Sequence, residues 1–334
     1  MPGSTIQTFA NPYDYQASVR AADLTVVVAA RGEFKSQLTR IDLHRLWMQR
    51  SEMSLPSVTH SSVHKNRNPI LFLADAQQRP MTHSGIEVSP GDIVFNSSGA
   101  EHHHRTPANC LWGAMSLTPE DLATYGRTLA GRELTAPAAT RVIRPQPALM
   151  SRLLNLHKGA GDLAATAPDI LAHPEVAKAL EQAMVRAMIA CLTDPAAEES
   201  YRSNRQRLPV MRRFERMLGS RQDQPLYLTE VCAEIGVTDR TLRLHCQEHL
   251  GMSPHRYLWL RRMNLARRAL TMADGSAKTV TEIANDHGFG ELGRFAVSYR
   301  RLFGESPSVT LRRPPDDAPL HGTALSDQAI SGFA

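Results

Sequence analysis

Three consecutive histidines, His102, His103 and His104, are the residues of this 334-residue sequence whose type and spacing most directly suggest chemistry. Side chains two positions apart share one face of a β-strand, so His102 and His104 could together ligate zinc or iron. No carboxylate partner accompanies them. The sequence therefore favours a polar strand that lines a surface or pocket, and we predict no metal and no cofactor.

No group of residues has the spacing of a catalytic site. The sequence contains no G-x-S-x-G elbow, no Walker phosphate loop and no H-E-x-x-H motif. The four cysteines, at positions 110, 191, 232 and 246, form no C-x-x-C pair, which argues against a disulfide framework and a cysteine-ligated zinc site. They fit a reducing compartment. We therefore predict a cytoplasmic protein that is not an enzyme and has no catalytic residues.

Positive charge is concentrated near the C-terminal end of the chain. Residues 210–313 contain 17 Lys and Arg against 11 Asp and Glu, whereas the remainder holds 21 basic and 22 acidic residues. A compact basic region on an otherwise neutral protein indicates a polyanionic partner. The length favours two domains. The sequence has neither an uncharged apolar run long enough to span a membrane nor an N-terminal secretion pattern.

The N-terminal part of the sequence predicts a mainly-β domain. Short apolar or alternating runs at residues 24–30, 44–49, 69–75, 92–96 and 110–117 are separated by turn residues, as in a sandwich or barrel. Thr118-Pro119-Glu120-Asp121 predicts a helix start. An apolar helical stripe follows at Pro174–Leu192, which suits either a dimer interface or packing against the barrel.

Two helix-turn-helix units are predicted in the basic region. In the first, Leu228, Val231, Cys232 and Ile235 form a helical stripe, Gly236 ends the helix and Thr238 caps the next. In the second, Thr279 and Glu282 form a capping box and Gly288 occupies the turn. A helix from Pro254 to Leu270 joins them, with Arg261, Arg262, Arg267 and Arg268 expected mostly outward. Two such helices can enter successive major grooves of one duplex.

Residues 210–313 resemble the DNA-binding domain of AraC/XylS-type bacterial transcription regulators. The matching stretches are LTEVCAEIGVTDRTL, LGMSPHRYL with the following R-M-x-x-A-x-x-A-L, and VTEIANDHGFGELGRF with YRRLFGESPS. The amino-acid sequence near the C-terminal end of this region is most similar to the branch of the family that includes ethanolamine-utilisation regulators. Two positions depart from the usual pattern, since Leu244 and Val297 stand where many members carry polar contact residues.

The resemblance implies a set of DNA-contacting residues. Arg240 and Arg243 are the best candidates for reading bases, because a guanidinium can pair bidentately with guanine. The second recognition helix is poor in hydrogen-bonding groups and should contribute mainly position and apolar contact. The full predicted set is Thr238, Asp239, Arg240, Arg243, Gln247, Arg261, Arg262, Leu292, Gly293, Arg294 and Ala296.

Residues 20–145 more faintly resemble the cupin-like sensor domain of the same family. Gly91, Gly99 and His102 match the second cupin motif, but no H-x-H pair precedes them, since His60 and His64 are four residues apart. Regulation by a small-molecule effector and homodimerisation are implied by the resemblance. The residues considered for the effector pocket are Arg45, Trp47, His60, His83, His102, His104 and Trp112.

The sequence thus predicts a two-domain regulator. Its fold class is an N-terminal cupin-like barrel with flanking helices and an all-α C-terminal domain with two helix-turn-helix motifs. The predicted divisions are a sensor and dimerisation domain at 1–193, a linker at 194–209, a DNA-binding domain at 210–313 and a disordered tail at 314–334. The expected partners are double-stranded DNA, an effector, a second copy and RNA polymerase. The alternatives are a cupin-like metalloenzyme with an accessory nucleic-acid-binding domain, and an architectural DNA-binding protein without an effector.

Overall fold

The computed structural model describes residues 2–202, 208–221, 226–273 and 278–313. The predicted disordered tail lies outside these ranges. Strands dominate the first 117 residues because short apolar runs alternate with turn residues. The strands are β1 (Gly3–Phe9), β2 (Ala22–Val28), β3 (Ser36–Asp42), β4 (Trp47–Met53), β5 (Ser57–Val63), β6 (Asn68–Leu73), β7 (Met81–His83), β8 (Ile86–Val88), β9 (Ile93–Phe95), β10 (Glu101–Thr106), β11 (Cys110–Leu117), β12 (Arg141–Arg144) and β13 (Glu198–Arg202).

The described strands form two sheets. One sheet has the order β1-β3-β4-β11-β6-β9-β12-β13, and the other has the order β2-β5-β10-β7-β8. The described pairings are antiparallel, and burial alternates along strands such as β5 because successive side chains point to opposite faces. The mainly-β N-terminal domain predicted from the sequence is therefore confirmed, and its strands are arranged as two sheets.

Helices flank the β-domain and build the C-terminal domain. They are α1 (Pro12–Ser18), α2 (Pro119–Ala130), α3 (Pro147–Thr166), α4 (Pro168–Ala172), α5 (Pro174–Leu192), α6 (Leu208–Ser220), α7 (Leu228–Ile235), α8 (Asp239–Leu250), α9 (Pro254–Met272), α10 (Val280–Asp286), α11 (Leu292–Phe303) and α12 (Pro307–Arg312). Within the described residues, none of these helices is long and apolar enough to cross a membrane.

The apolar stripe of α5 packs inside the N-terminal domain. Ala177, Met184, Met188 and Cys191 are buried in the same core as residues of α3 and of the larger sheet. Of the two uses considered for Pro174–Leu192, packing against the β-domain is the one observed. A dimer interface through this helix stays a prediction, since Val176, Leu180 and Ala183 of the stripe remain partly exposed.

The predicted linker is partly regular structure. Glu198–Arg202 forms β13, which pairs with β12 across a β-bulge and so extends the larger sheet. The pattern of this polar segment gave no strand signal, since edge pairing is decided by the partner strand rather than by apolar periodicity. The domain boundaries at 193 and 209 stay a prediction.

The two domains pack directly on each other. The helical core that contains Phe214, Leu242 and Tyr257 also includes Val27 and Val58 from the smaller sheet. Asn264 of α9 bonds to the edge strand β2, accepting from the Val28 N–H and donating to the Val28 carbonyl, both at 3.3 Å. This side-chain amide satisfies backbone groups that an open sheet edge would leave unpaired.

Candidate nucleic-acid interface and sensor cavity

The first helix-turn-helix unit forms as the sequence predicts. Gly236 ends α7 with φ at +69°, a left-handed conformation that glycine adopts without strain. Thr238 then caps α8, its side chain accepting a hydrogen bond from the Thr241 N–H at 3.2 Å. Val231, Ile235, Leu242 and Cys246 are buried between the two helices and the rest of the domain.

One side of α8 is open to solvent. Its inward side buries Leu242, His245 and Cys246, so the residues between them on the helix face outward. Arg243 is held by Asp239 one turn earlier, at 2.8 Å from Nε to the carboxylate. Leu244, one of the two positions that depart from the family pattern, is 59% exposed. The predicted contact residues of this unit, Thr238, Asp239, Arg240, Arg243 and Gln247, are all exposed.

The second unit repeats this plan. Thr279 and Glu282 form the predicted capping box, in which the Thr279 N–H donates to the Glu282 carboxylate at 2.7 Å. Gly288 occupies the turn with φ at +71°. In α11, Arg294 pairs with Glu291 at 3.0 Å, and Val297 is exposed. Of the predicted contact residues, Leu292, Gly293 and Arg294 are exposed, and Ala296 is partly exposed.

The connecting helix differs from the sequence prediction in the direction of two arginines. Arg261 and Arg267 were expected to face outward, but both are less than a tenth exposed. Arg261 donates to the Leu218 carbonyl at 2.9 Å, and Arg267 lies 3.6 Å from Glu305 and stacks on Phe303. Arg261 is four residues after the buried Tyr257, and Arg267 is three residues before the buried Leu270, so the helical period places both on the covered side of α9. Arg261 is therefore not available to a phosphate in this structure.

Arg262 and Arg268 remain partly exposed on α9. The Arg262 guanidinium lies 4.7 Å from the centre of the Phe289 ring in the turn of the second unit. The Arg268 guanidinium lies over Tyr13 of the N-terminal domain at 5.6 Å. Part of the positive charge counted in the sequence is thus used for packing and for contact with the N-terminal domain.

A buried carboxylate joins the two domains. Glu215 of α6 accepts hydrogen bonds from His103 of β10 at 2.8 Å and from the Tyr257 hydroxyl at 3.0 Å. Burial alone would raise the pKa of Glu215, but the bond from His103 and the charges of His103, His60 and Arg261 lower that pKa to about 2. The carboxylate is therefore ionised at neutral pH, and it places a charged hydrogen bond between the smaller sheet and the C-terminal domain.

A cavity of about 90 Å³ lies between the two sheets of the N-terminal domain. Apolar and aromatic side chains make up most of its walls, as is usual for small-molecule sites. Four residues considered from the sequence line it, namely Trp47, Trp112, His102 and His104. Arg20, Gln49 and Asn96 add polar groups that the sequence analysis did not single out.

The other three pocket candidates lie elsewhere. Arg45 forms an ion pair with Asp121 at 2.9 Å, and its side chain is largely exposed. His60 lies beside His103, with 5.2 Å between ring centres. His83 lies on β7 directly opposite His104, next to the cavity wall. These three positions could not be separated from the cavity-lining ones without knowing which strands pair.

The strand pairing brings His83, His102 and His104 together. Their ring centres are 4.5 to 4.7 Å apart in every pair. Burial, followed by the proximity of the other imidazoles, lowers the pKa of His83 and His102 well below the usual histidine value and that of His104 to about 3. The cluster is therefore neutral at neutral pH. The sequence predicted the shared face of His102 and His104, but the third member comes from a different strand.

Comparison with known proteins points to the same C-terminal region. Residues 231–313 match the helix-turn-helix domain family. The chain is 36% identical to a probable thc operon regulatory protein of Rhodococcus erythropolis over 154 residues, which are 44% of this chain and 45% of the relative. It is also 36% identical to XylDLEGF operon transcriptional activator 3 of Pseudomonas putida over 103 residues, which are 30% and 31% of the two chains. The matched region thus spans less than half the length of these relatives.

Among solved structures, the AraC-like transcriptional activator CuxR is similar to this chain with a TM-score of 0.40 and 16% identity, over 80% of this chain and 96% of that one. The similarity to ethanolamine-utilisation regulators stays a prediction. The paired helix-turn-helix units and the matched region together support one conclusion. The chain carries a C-terminal helix-turn-helix DNA-binding domain of the AraC/XylS type.

Proposed function

We propose that the protein is a transcription regulator that recognises a specific sequence of double-stranded DNA. The observation that carries this proposal is the pair of helix-turn-helix units, each presenting an exposed recognition helix and both packed on α9. A shared scaffold helix fixes the separation of α8 and α11, as is needed for entry into successive major grooves. A cytoplasmic location, homodimerisation, contact with RNA polymerase and the absence of enzymatic activity belong to the same proposal.

In this proposal α8 supplies most of the base recognition. Arg240 and Arg243 lie on its solvent side, where a guanidinium can pair with guanine O6 and N7. Asp239 restrains Arg243 before DNA binds, which lowers the cost of ordering that long side chain. Thr238 and Gln247 complete the exposed surface. Leu244 is suited to contact with a thymine methyl group.

The α11 helix would mainly position the protein on the duplex. Leu292, Gly293 and Ala296 offer no side-chain hydrogen bonds, and Arg294 is the exposed cation near the start of the helix. Such a surface suits phosphate and apolar contacts better than base-specific ones. Arg262 is the α9 arginine that remains a candidate for a phosphate contact, since Arg261 is buried.

The cavity between the sheets is the proposed effector site. Trp47 and Trp112 provide flat apolar surface, while Gln49 and Asn96 can orient a polar group of a ligand. The cavity lies in the same β-domain whose smaller sheet contacts α9 and Glu215, so ligand binding and DNA binding can be coupled through packed elements.

The test is a selection of bound fragments from random double-stranded DNA with the full-length chain, followed by binding to the selected site. Replacing Arg240 or Arg243 by alanine should cost about 1–3 kcal/mol at that site and relax the preference at particular base pairs. Arg132→Ala removes the same charge from an exposed position in the N-terminal domain and serves as the matched control.

The three possible readouts are distinct. Loss of binding at individual base pairs supports base reading by α8. An equal loss on all sequences would make Arg240 and Arg243 phosphate contacts. No preference for any sequence in the selection would contradict the proposed function itself.

A further inference from the structure

The three-histidine cluster in the N-terminal domain has the arrangement of a metal site. His83 on β7 and His104 on β10 are directly paired across the smaller sheet, and His102 shares the face of His104 two residues away. One ring nitrogen from each of the three histidines lies within 4.8 Å of the other two. The cluster lies in the β-domain, on the sheet whose strand β10 contacts the C-terminal part of α8.

Hydrogen bonding within the described residues leaves this cluster incomplete. His83 and His102 are 1% and 4% exposed, and His83 Nε2 and His102 Nδ1 have no hydrogen-bond partner in the described structure. The one bond inside the cluster joins His83 Nδ1 to His104 Nδ1 at 3.3 Å. Buried polar atoms are nearly always satisfied, so the unsatisfied His102 Nδ1 beside two further histidines indicates a missing ligand.

The distances suit a small divalent cation. Zinc–nitrogen bonds of about 2.0–2.1 Å correspond to nitrogen–nitrogen edges of about 3.4 Å in a tetrahedron. The His83 and His104 Nδ1 atoms are already 3.3 Å apart. Since the widest separation among the three ligand nitrogens is 4.8 Å or less, a side-chain movement of about 1 Å closes the set.

We propose that His83, His102 and His104 bind one divalent first-row transition-metal ion, for which Zn²⁺ is the probe. Imidazole ligands suit zinc, copper, iron and nickel better than magnesium or calcium. Three protein ligands leave a coordination position open. His102 and His104 also line the cavity between the sheets, so an oxygen or nitrogen donor in that cavity can supply the fourth ligand.

A second group, His245, Glu248 and His249 of α8, also brings three ligand atoms within 4.8 Å of one another. These three residues also have interactions within the chain. The experiment must nevertheless separate the two groups, since both could take up zinc from solution.

The test uses the full-length chain, stripped of metal with a chelator and titrated with Zn²⁺ by calorimetry, with the bound metal measured after dialysis. We expect one retained ion per chain, and an affinity at least about 100-fold lower in His83→Gln and in the double variant His102→Gln/His104→Gln. His64→Asn, an exposed histidine outside both groups, and His245→Asn are the matched controls and should keep the affinity of the unaltered chain.

A measurement on the unaltered chain guards against variants that fail to fold. Nitrogen-15 NMR of the histidine rings should show Zn²⁺ shifting three imidazoles that are assigned to positions 83, 102 and 104. The proposal is overturned if no ion is retained, if the shifted rings are those of His245 and His249, or if the His83→Gln variant, folded by circular dichroism, binds Zn²⁺ as tightly as the unaltered chain. None of these results depends on DNA binding, so the proposed function stands or falls separately.

Discussion

At the scale of single residues, the structure shows how burial determines what a histidine can do. His157 of α3 lies in the core of the N-terminal domain, where its Nε2–H donates to the Gln49 carbonyl at 3.1 Å and its Nδ1 faces Arg50 at 3.4 Å. Burial, and then the charge of Arg50, lower the pKa of His157 to about 3. The neutral ring therefore links α3 to β4.

This histidine makes a specific contribution to the pH dependence of folding. Its pKa is about 6.5 in the unfolded chain and about 3 in the folded one, so below pH 6.5 the unfolded state binds the extra proton. As the pH is lowered from 6.5 to 3, the contribution of His157 to the free energy of unfolding should fall by roughly 1 kcal/mol for each pH unit. In His157→Gln, chemical unfolding as a function of pH should show a correspondingly shallower decline.

A core substitution without a titrating group provides the control. Leu153→Val on the same helix should lower stability by a similar amount at every pH, because Leu153 is fully buried and uncharged. Parallel stability curves for His157→Gln and the unaltered chain would show that His157 is not the group responsible.

At the scale of elements, local chemistry determined what the sequence could predict. The strand at Cys110–Leu117 and the helix at Pro174–Leu192 have the predicted bounds. The helix α7 ends at the predicted Gly236, and the predicted threonines cap α8 and α10. These signals act within a few residues. The strands β1 and β3 were missed because they are rich in polar residues and are fixed by pairing with each other rather than by an apolar run.

The candidate sites were limited by contacts between distant residues. His83 joins His102 and His104 only because β7 pairs with β10, and no local pattern reports that pairing. Arg261 was expected to face outward because it is charged, but it lies on the buried side of α9, beside the carboxylate of Glu215 and the carbonyl of Leu218. In contrast, the exposed surface of α8 followed from its own period of 3.6 residues, so the candidate base-reading residues could be named in advance.

The turn glycine of the first unit allows a prediction about helix ends. Gly236 has φ at +69° with open space where a Cβ atom would lie, so Gly236→Ala tests backbone strain alone. We expect a loss of about 1 kcal/mol in the free energy of unfolding. Gly290→Ala is the matched control, since that glycine also has open space but no positive φ. Equal unfolding midpoints for the two variants would contradict the argument.

At the scale of the whole molecule, the two domains form a packed interface. Asn264 reaches the edge strand β2, and His103 reaches Glu215, so both α9 and α6 are tied to the smaller sheet. The same sheet carries the three-histidine cluster on β7 and β10. A change in the position of β10 is therefore transmitted to the DNA-binding domain by direct contact.

The contact at β2 can be measured one amide at a time. In Asn264→Ala the Val28 N–H loses its acceptor, so its hydrogen exchange should become faster, whereas the Val26 N–H keeps Gln16 as its acceptor. Hydrogen exchange resolved by NMR measures both amides in the same sample. Unchanged exchange at Val28, or equal acceleration at Val26, would mean that Asn264 does not hold the domains together.

The carboxylate of Glu215 constrains how the halves of the protein can move. If β10 withdrew from α6, an anion held in a nearly dry environment would lose its His103 donor and would have to draw water in its place. Hinge-like opening is therefore costly, whereas a slight tilt that keeps the imidazole and the carboxylate in touch is not. A conformational change in the β-domain can therefore reach the DNA-binding domain as a small rotation, while the interface between the two domains stays closed.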